Sequence, residues 1–307
     1  MNEIGKHIVR EQDSDINIKY LSAQKQVYNH GKATFAFQVL IAVPIPIIIS
    51  VLKPLFENDK YKIAWVFILY GIVATFLEFF CENKAIKLKK LAASIQEKFD
   101  TKVLVIDWNK TLIPQKPDDE LIYRYYNKYI KKNELDKLYG WYSNEVKYVN
   151  TNIATLLCQR TNCSYDFTLR KRYAKTIILL AATTFLILFL IAGQFDTTIP
   201  QFISSVLLPS SPVFVMAYKQ VSSNNDALEN LNYLKGLIET ELETLTINDI
   251  IDKHLIRQIQ DKIYLKRINS PLLPEWAYNF LRQNLEDEMH FSMKEKVREL
   301  TIENNIE

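Results

Sequence analysis

The chain has 307 residues, of which 48% are hydrophobic, and a formal net charge of +3. Six glycines and three cysteines give no support to a Gly-rich nucleotide cradle or to a disulfide or Cys-ligated metal framework. Cys81, Cys158 and Cys163 show no CxxC or Cys/His spacing, and His7, His30, His254 and His290 show no ligand spacing, so no metal is expected and the cysteines read as packing residues.

The first 32 residues are mixed in charge and too long and acidic for the n-region of a secretory signal. Ile16, Tyr20, Ala23 and Val27 recur at helical spacing, which predicts a helix over Ile16–Lys32 leading into an apolar stretch, Ala33–Leu52. That stretch is about the ~20 residues a helix needs to cross a bilayer. Pro44 and Pro46 remove backbone donors halfway along it, so a bend or hinge is expected there. A second apolar stretch, Ile63–Phe80, carries Glu78 just inside its cytoplasmic end, and the pattern Ala85, Leu88, Ala92, Ile95, Phe99 predicts that the helix continues beyond the membrane.

The β-branched run Val103–Asp107 reads as a short strand, followed by a helix over Asp118–Tyr139 and another over Tyr148–Tyr173 that runs into a third apolar stretch, Ala174–Ala192. The fourth, Ile199–Ala217, holds three prolines, four serines and a glutamine, and is expected to be irregular and partly polar. Pro209 and Pro212 are further hinge candidates, and Gln201, Ser204, Ser205 and Ser211 are candidates to line a permeation path; the competing reading is close packing of small residues. Apolar periodicity then predicts helices over Asn225–Leu245 and Asn248–Ile268, a break at Ser270–Pro274, and a last helix from Glu275 to about Ile302.

Lys84, Lys87, Lys89 and Lys90 follow the second stretch, and Arg170, Lys171, Arg172 and Lys175 flank the third, whereas Gly193–Thr198 has neither Lys nor Arg. The positive-inside rule therefore places the middle of the chain and both termini in the cytoplasm, against the weaker signal of Lys53, Lys60 and Lys62. The fold class that follows is mainly α: four transmembrane helices in two pairs (33–80 and 174–217). The remainder is an N-terminal cytoplasmic helix (1–32), a small, mostly helical middle domain with one or two short strands (81–173), and a helical C-terminal region (218–307).

Asp107 and Thr111 mimic a phosphatase of the haloacid dehalogenase type, but Asn109 stands where that chemistry needs a second acid, so a structural turn is the reading and an enzyme is not expected. Gly140–Tyr173 concentrates Trp141, Tyr142, Arg160, Arg170 and Arg172. Guanidinium groups pair with phosphates and aromatic faces stack on bases, which makes these residues candidates for an anionic nucleotide ligand. Arg170 and Arg172 equally suit anchoring at anionic lipid headgroups.

Three stretches resemble the SMODS-associated four-transmembrane effector family of bacterial cyclic-oligonucleotide anti-phage signalling. They are LSAQKQVYNHGK; FDTKVLVIDWN with WYSNE and LLCQRTNCSYDFTLRKRYA; and IQDKIYLKRINSPLLPEWAYNFLRQNLEDEM. Tyr165 departs from the pattern, standing where Trp is associated with the family. The resemblance implies an inner-membrane effector that homo-oligomerises and permeabilises the bilayer when it binds a cyclic oligonucleotide made by a nucleotidyltransferase, without direct DNA or RNA binding. The competing readings are a non-pore membrane receptor or scaffold that recruits a cytoplasmic partner and, more distantly, a membrane-tethered phosphatase.

Overall fold

The computed structural model describes residues 3–52, 64–194, 198–245, 251–281 and 285–302. Among these residues all regular structure is helical. The elements are α1 (Glu3–Gln12), α2 (Asp15–Ala42), α3 (Pro44–Leu52), α4 (Ala64–Val103), α5 (Asp119–Ile130), α6 (Thr151–Gln194), α7 (Ile199–Glu243), α8 (Lys253–Asn269), α9 (Glu275–Leu281) and α10 (Leu285–Ile302), with short 3-10 turns at Asp136–Leu138 and Asn144–Tyr148. Three helical stretches among the described residues are long and apolar enough to cross a membrane: Asp15–Ile49, Asn152–Gln194 and Ile199–Glu243. The first half of α4, the expected second span, exposes Trp65, Ile68, Ile72, Phe76 and Phe80. The first outer turn, with Lys53, Lys60 and Lys62, the middle of Gly193–Thr198 and the expected helix start at Asn248 lie outside the described residues.

Helix α2 ends at Val43, and Pro44 opens α3. Beside the break, the Ile41 carbonyl accepts a 2.5 Å hydrogen bond from the Tyr70 hydroxyl of α4, so a neighbouring helix supplies a donor at the interruption. The fourth stretch, expected to be irregular, is instead helical with one wide turn. Residues Phe202–Leu207 are π-helical and the Leu208 N–H reaches back to the Ile203 carbonyl, a register shift beside Pro209, which has no N–H to give. Pro212 sits inside the helix, and the Leu208 carbonyl that it leaves without a backbone donor accepts from Ser211 Oγ at 2.8 Å.

The expected strand at Val103–Asp107 is not one. Helix α4 runs through Val103 and stops where Val105 adopts φ 55°, with the Ile106 N–H bonded to the Thr101 carbonyl at 3.0 Å, the pattern of a Schellman cap. Asn109 then closes a turn, its side-chain oxygen accepting from the Thr111 N–H at 3.0 Å and the Leu112 N–H at 3.2 Å. Asp118–Tyr139 is likewise shorter than expected, a helix over Asp119–Ile130 followed by a separate turn, and the last region divides into α9 and α10.

The described residues of 1–32, 81–173 and 218–307 share one core. It gathers Ile8 of α1, Leu21 and Val27 of α2, Ile95 and Phe99 of α4, Ile153 and Leu157 of α6, Leu234 and Ile238 of α7, Ile259 of α8 and Val297 of α10. Helix α1 lies so close to the 144–148 turn that a Cβ on Gly5 would fall 2.1 Å from the Val146 carbonyl oxygen. Helices α2, α4, α6 and α7 each run from an apolar stretch into this body.

Candidate ligand site and its coupling to the apolar helices

The Arg- and aromatic-rich stretch folds inward. Tyr142 is 2% exposed, stacks on Phe99, and donates from its hydroxyl to Asp100 Oδ1 at 2.8 Å, while its backbone N–H is held by Gln12 Oε1 at 2.7 Å. Trp141 packs edge-on against Phe99, and Lys25 Nζ lies 5.8 Å from its ring centre. Tyr142 is therefore engaged within the core, whereas Trp141 is half-buried.

The three arginines all lie on α6 and meet different partners. Arg160 pairs with Glu239 of α7 at 2.6 Å and donates to Ser292 of α10 at 3.0 Å. Arg170 pairs with Asp166 at 2.8 Å and donates to Asn224 Oδ1 and to the Pro271 carbonyl, each at 3.2 Å. Arg172 donates to the Leu281 carbonyl at 3.1 Å and pairs with Glu288 at 3.1 Å. Arg170 and Arg172 thus join helices at the base of the apolar region, whereas Arg160 lines a cavity.

Cavities lined in part by α7 include one shared with α8 and one shared with α6 and α10. The larger, about 340 Å³, lies between α7 and α8 and is lined by Asp226, Asn230, Tyr233, Lys262, Lys266 and Asn269, among others. Lys262 Nζ sits 5.5 Å from the centre of the Tyr233 ring, which is 60% exposed. An ammonium beside an open aromatic face, with amide and hydroxyl groups around it, suits a phosphate-bearing ring ligand. The smaller cavity, about 170 Å³, lies between α6, α7 and α10 and is lined by Arg160, Tyr165, Lys235, Glu288 and Ser292, among others.

Beneath the larger cavity runs a buried charge network that sequence reasoning missed. Glu97 and Asp100 of α4 are fully buried. Arg267 of α8 meets Asp100 at 2.6 Å and Glu97 at 4.0 Å; Arg257 meets Glu97 at 2.7 Å; and Gln260 donates to Glu97 at 2.8 Å and Asp100 at 3.1 Å. Burial, with the neighbouring Asp100 charge, raises the Glu97 pKa. Burial opposes ionisation of Asp166 too, but Arg170 and Lys266 outweigh it and hold this carboxyl well below the usual carboxylate range. The available signal was the Glu97–Asp100 spacing, which sets two acids on the face of α4 bounded by Ala93 and Phe99.

The link between α8 and α9 closes around the base of the apolar helices. The Ser270 carbonyl accepts from Lys89 of α4 at 2.8 Å, Pro271 from Arg170 of α6, and Leu281 from Arg172 of α6, while Glu275 pairs with Lys32 of α2 at 2.5 Å. Asn224 of α7 joins by donating to the Arg170 carbonyl at 2.9 Å. Burial and the nearby Arg170 charge pull Lys89 down to about 8. Residues Ser270–Leu281 therefore form a collar bonded to α2, α4 and α6, and the larger cavity ends at Asn269 and Ser270, where the collar begins.

Long apolar helices continuous with a polar, cavity-bearing body define a helical protein of membrane-crossing composition. The chain belongs to the SMODS-associating 4TM effector domain family, whose model matches residues 6–296. A protein of Bacillus cereus (strain VD146) described as a probable CBASS effector molecule is 30% identical over 292 residues, which is 92% of this chain and 95% of that one. No solved structure matches.

In the apolar half of α7, Gln201 is exposed and its side-chain oxygen caps Thr198, accepting from the backbone N–H and from Oγ1 at 3.0 Å each. Ser204 is also exposed, Ser205 is buried within the chain, and the Ser211 hydroxyl is engaged with Leu208 as described above.

Proposed function

We propose that the protein is an antiviral effector with four spans, that its body and both termini are cytoplasmic, and that a cyclic oligonucleotide from a nucleotidyltransferase switches it to permeabilise the bacterial inner membrane. The observation that carries the reading is helix continuity: α2, α4, α6 and α7 each pass from an apolar stretch into one shared core, so a change in that core must move membrane segments. The ligand sits in the cavity between α7 and α8, where Lys262 and Lys266 supply cationic groups and Tyr233 a ring face. Arg160, in the smaller cavity between α6, α7 and α10, is the second contact region; Arg170 and Arg172 transmit movement to the collar.

One copy contributes only one proline-bent fourth span, so a water path requires several copies around an axis. Gln201 and Ser204, exposed on that span, line the path in this reading, while Ser205 and Ser211 serve packing and the broken hydrogen-bond ladder. Purified protein in liposomes, challenged with a panel of cyclic di- and trinucleotides, should release a trapped ion on addition of one member. Binding without release would favour a receptor or scaffold over a pore, and absence of binding would remove the nucleotide from the account. Tyr233→Ala with Lys262→Ala should weaken binding by roughly tenfold or more if the larger cavity is the seat.

A further inference from the structure

We infer that α9 is an interfacial helix, lying flat on the bilayer surface with Trp276 and Phe280 inserted at the boundary between lipid headgroups and acyl chains. The inference rests on the membrane spans proposed above and adds to them a fifth point of lipid contact, within the C-terminal region.

The two ends of α9 are tied to the bases of two different apolar helices. At its start, Glu275 pairs with Lys32 at 2.5 Å, the last residue of α2 before the apolar stretch. At its end, the Leu281 carbonyl accepts from Arg172 at 3.1 Å, two residues before the third stretch begins. Both anchors stand at the junction of polar body and apolar helix, so the helix axis runs along that junction rather than across it.

Rotation about the axis is fixed as well. Ala277 and Leu281 are buried in one cluster with Leu169 and Tyr173, against which Ile177 also packs. Tyr278 turns back toward the body, where its hydroxyl lies 3.4 Å from the Tyr165 hydroxyl, two turns below Arg172 on α6. Successive helical residues are separated by about 100°, so positions two before and two after Tyr278 point about 160° away from it. Those positions are Trp276 and Phe280, 51% and 72% exposed, facing away from the body on the side where the apolar stretches begin.

The surroundings select lipid over a protein partner. Near the polar ends of their apolar stretches, Phe79 and Phe80 of α4, Ile178 and Leu179 of α6 and Tyr218 of α7 are exposed, so the two rings add to a set of apolar and aromatic side chains open at these ends. Lys84, Lys87, Lys171 and Lys175 are exposed nearby, the distribution expected next to anionic headgroups. A Trp with its apolar body in the chains and its indole N–H among headgroups meets both demands of such a position.

Tryptophan fluorescence tests this in bilayers of phosphatidylcholine and phosphatidylglycerol, using full-length protein and the conservative variants Trp276→Phe and Trp65→Phe. The emission removed by Trp276→Phe should be blue-shifted, strongly quenched by lipids brominated near the head of the acyl chain, and only weakly quenched by aqueous acrylamide. Trp65, at the far end of the second span and 60% exposed, is the control for the spans themselves. If lipid quenches Trp65 but not Trp276, the interfacial assignment is wrong while the spans stand; if it quenches neither, the membrane reading falls and this inference with it. Acrylamide quenching of Trp276 places it in water. Protection from both quenchers, lost on dilution into excess lipid, places it against a second copy, and either result overturns the proposal.

Discussion

Replacing Arg267 with Met tests what clamps the C-terminal helices onto α4. The substitution keeps an aliphatic stem of similar reach and removes one cation from a site where Glu97 and Asp100 are both fully buried and Arg267 itself is 8% exposed. Asp100 would keep two donors, the Tyr142 hydroxyl at 2.8 Å and Gln260 at 3.1 Å, and Glu97 would keep Arg257 at 2.7 Å. Two carboxylates would then face one guanidinium. Stranding a buried charge in this way costs about 3–5 kcal/mol, which for a body of this size corresponds to a fall in Tm of roughly 6–20 °C. Thermal unfolding in detergent, followed by helical circular dichroism, measures it. Adding Asp100→Asn to Arg267→Met removes the stranded charge while keeping an acceptor for Tyr142, and should recover most of the loss. A single variant that melts within about 3 °C of the parent, or a double variant whose losses simply add, would show that the pair does not hold α8 against α4.

Two further outcomes follow from local geometry. Val105 occupies the left-handed position of a helix cap at φ 55°, where a β-branched residue costs about 1–3 kcal/mol and Gly costs about 0.5–1 kcal/mol in chain entropy, so Val105→Gly should raise Tm by a few degrees. Lys89, pulled down to about 8 from 10.5, is protonated in the unfolded chain but neutral in the folded one between those values, so native stability should rise with pH across that window. Lys89→Met should flatten that part of the Tm–pH profile, and an unchanged slope would assign it to other groups.

Periodicity carried the sequence reading a long way. Of the residues placed on apolar stripes by spacing alone, Tyr20, Ala23, Val27, Ala92, Ile95 and Phe99 are buried, because a helix facing one core has one way to present such a pattern, whereas Ala85 and Leu88 are half-buried and Ile16, at the start of its stripe, is exposed. The run Val103–Asp107 misled because β-branched residues look the same whether they extend a strand or finish a helix. Here the decision fell to a backbone bond from Ile106 to Thr101 and to a left-handed Val that no propensity would choose. The candidate site was legible as a charge-rich segment but not as geometry. Composition shows that Arg160 and Arg170 are cationic; it does not show that Glu239 and Asn224, far along the chain, meet them, or that the open ring and lysine would be Tyr233 and Lys262. Membership of the effector family agrees with the resemblance read from the three motif stretches.

The unbroken run of α6 through Arg170 would give the proposed switch a mechanical gain. From Arg170, where α6, α7 and the collar are bonded together, to Gln194 the helix rises about 36 Å. Treated as a stiff rod pivoting at that hub, a tilt of about 10° carries its far tip sideways by roughly 6 Å, about twice the width of a water molecule. A displacement of well under 2 Å one turn on the body side of Arg170 is enough to produce it, which is within what a side-chain rearrangement in a cavity can deliver. Under the proposed switching, the stroke is set by the length of rod beyond the hub, and shortening that rod would reduce it in proportion.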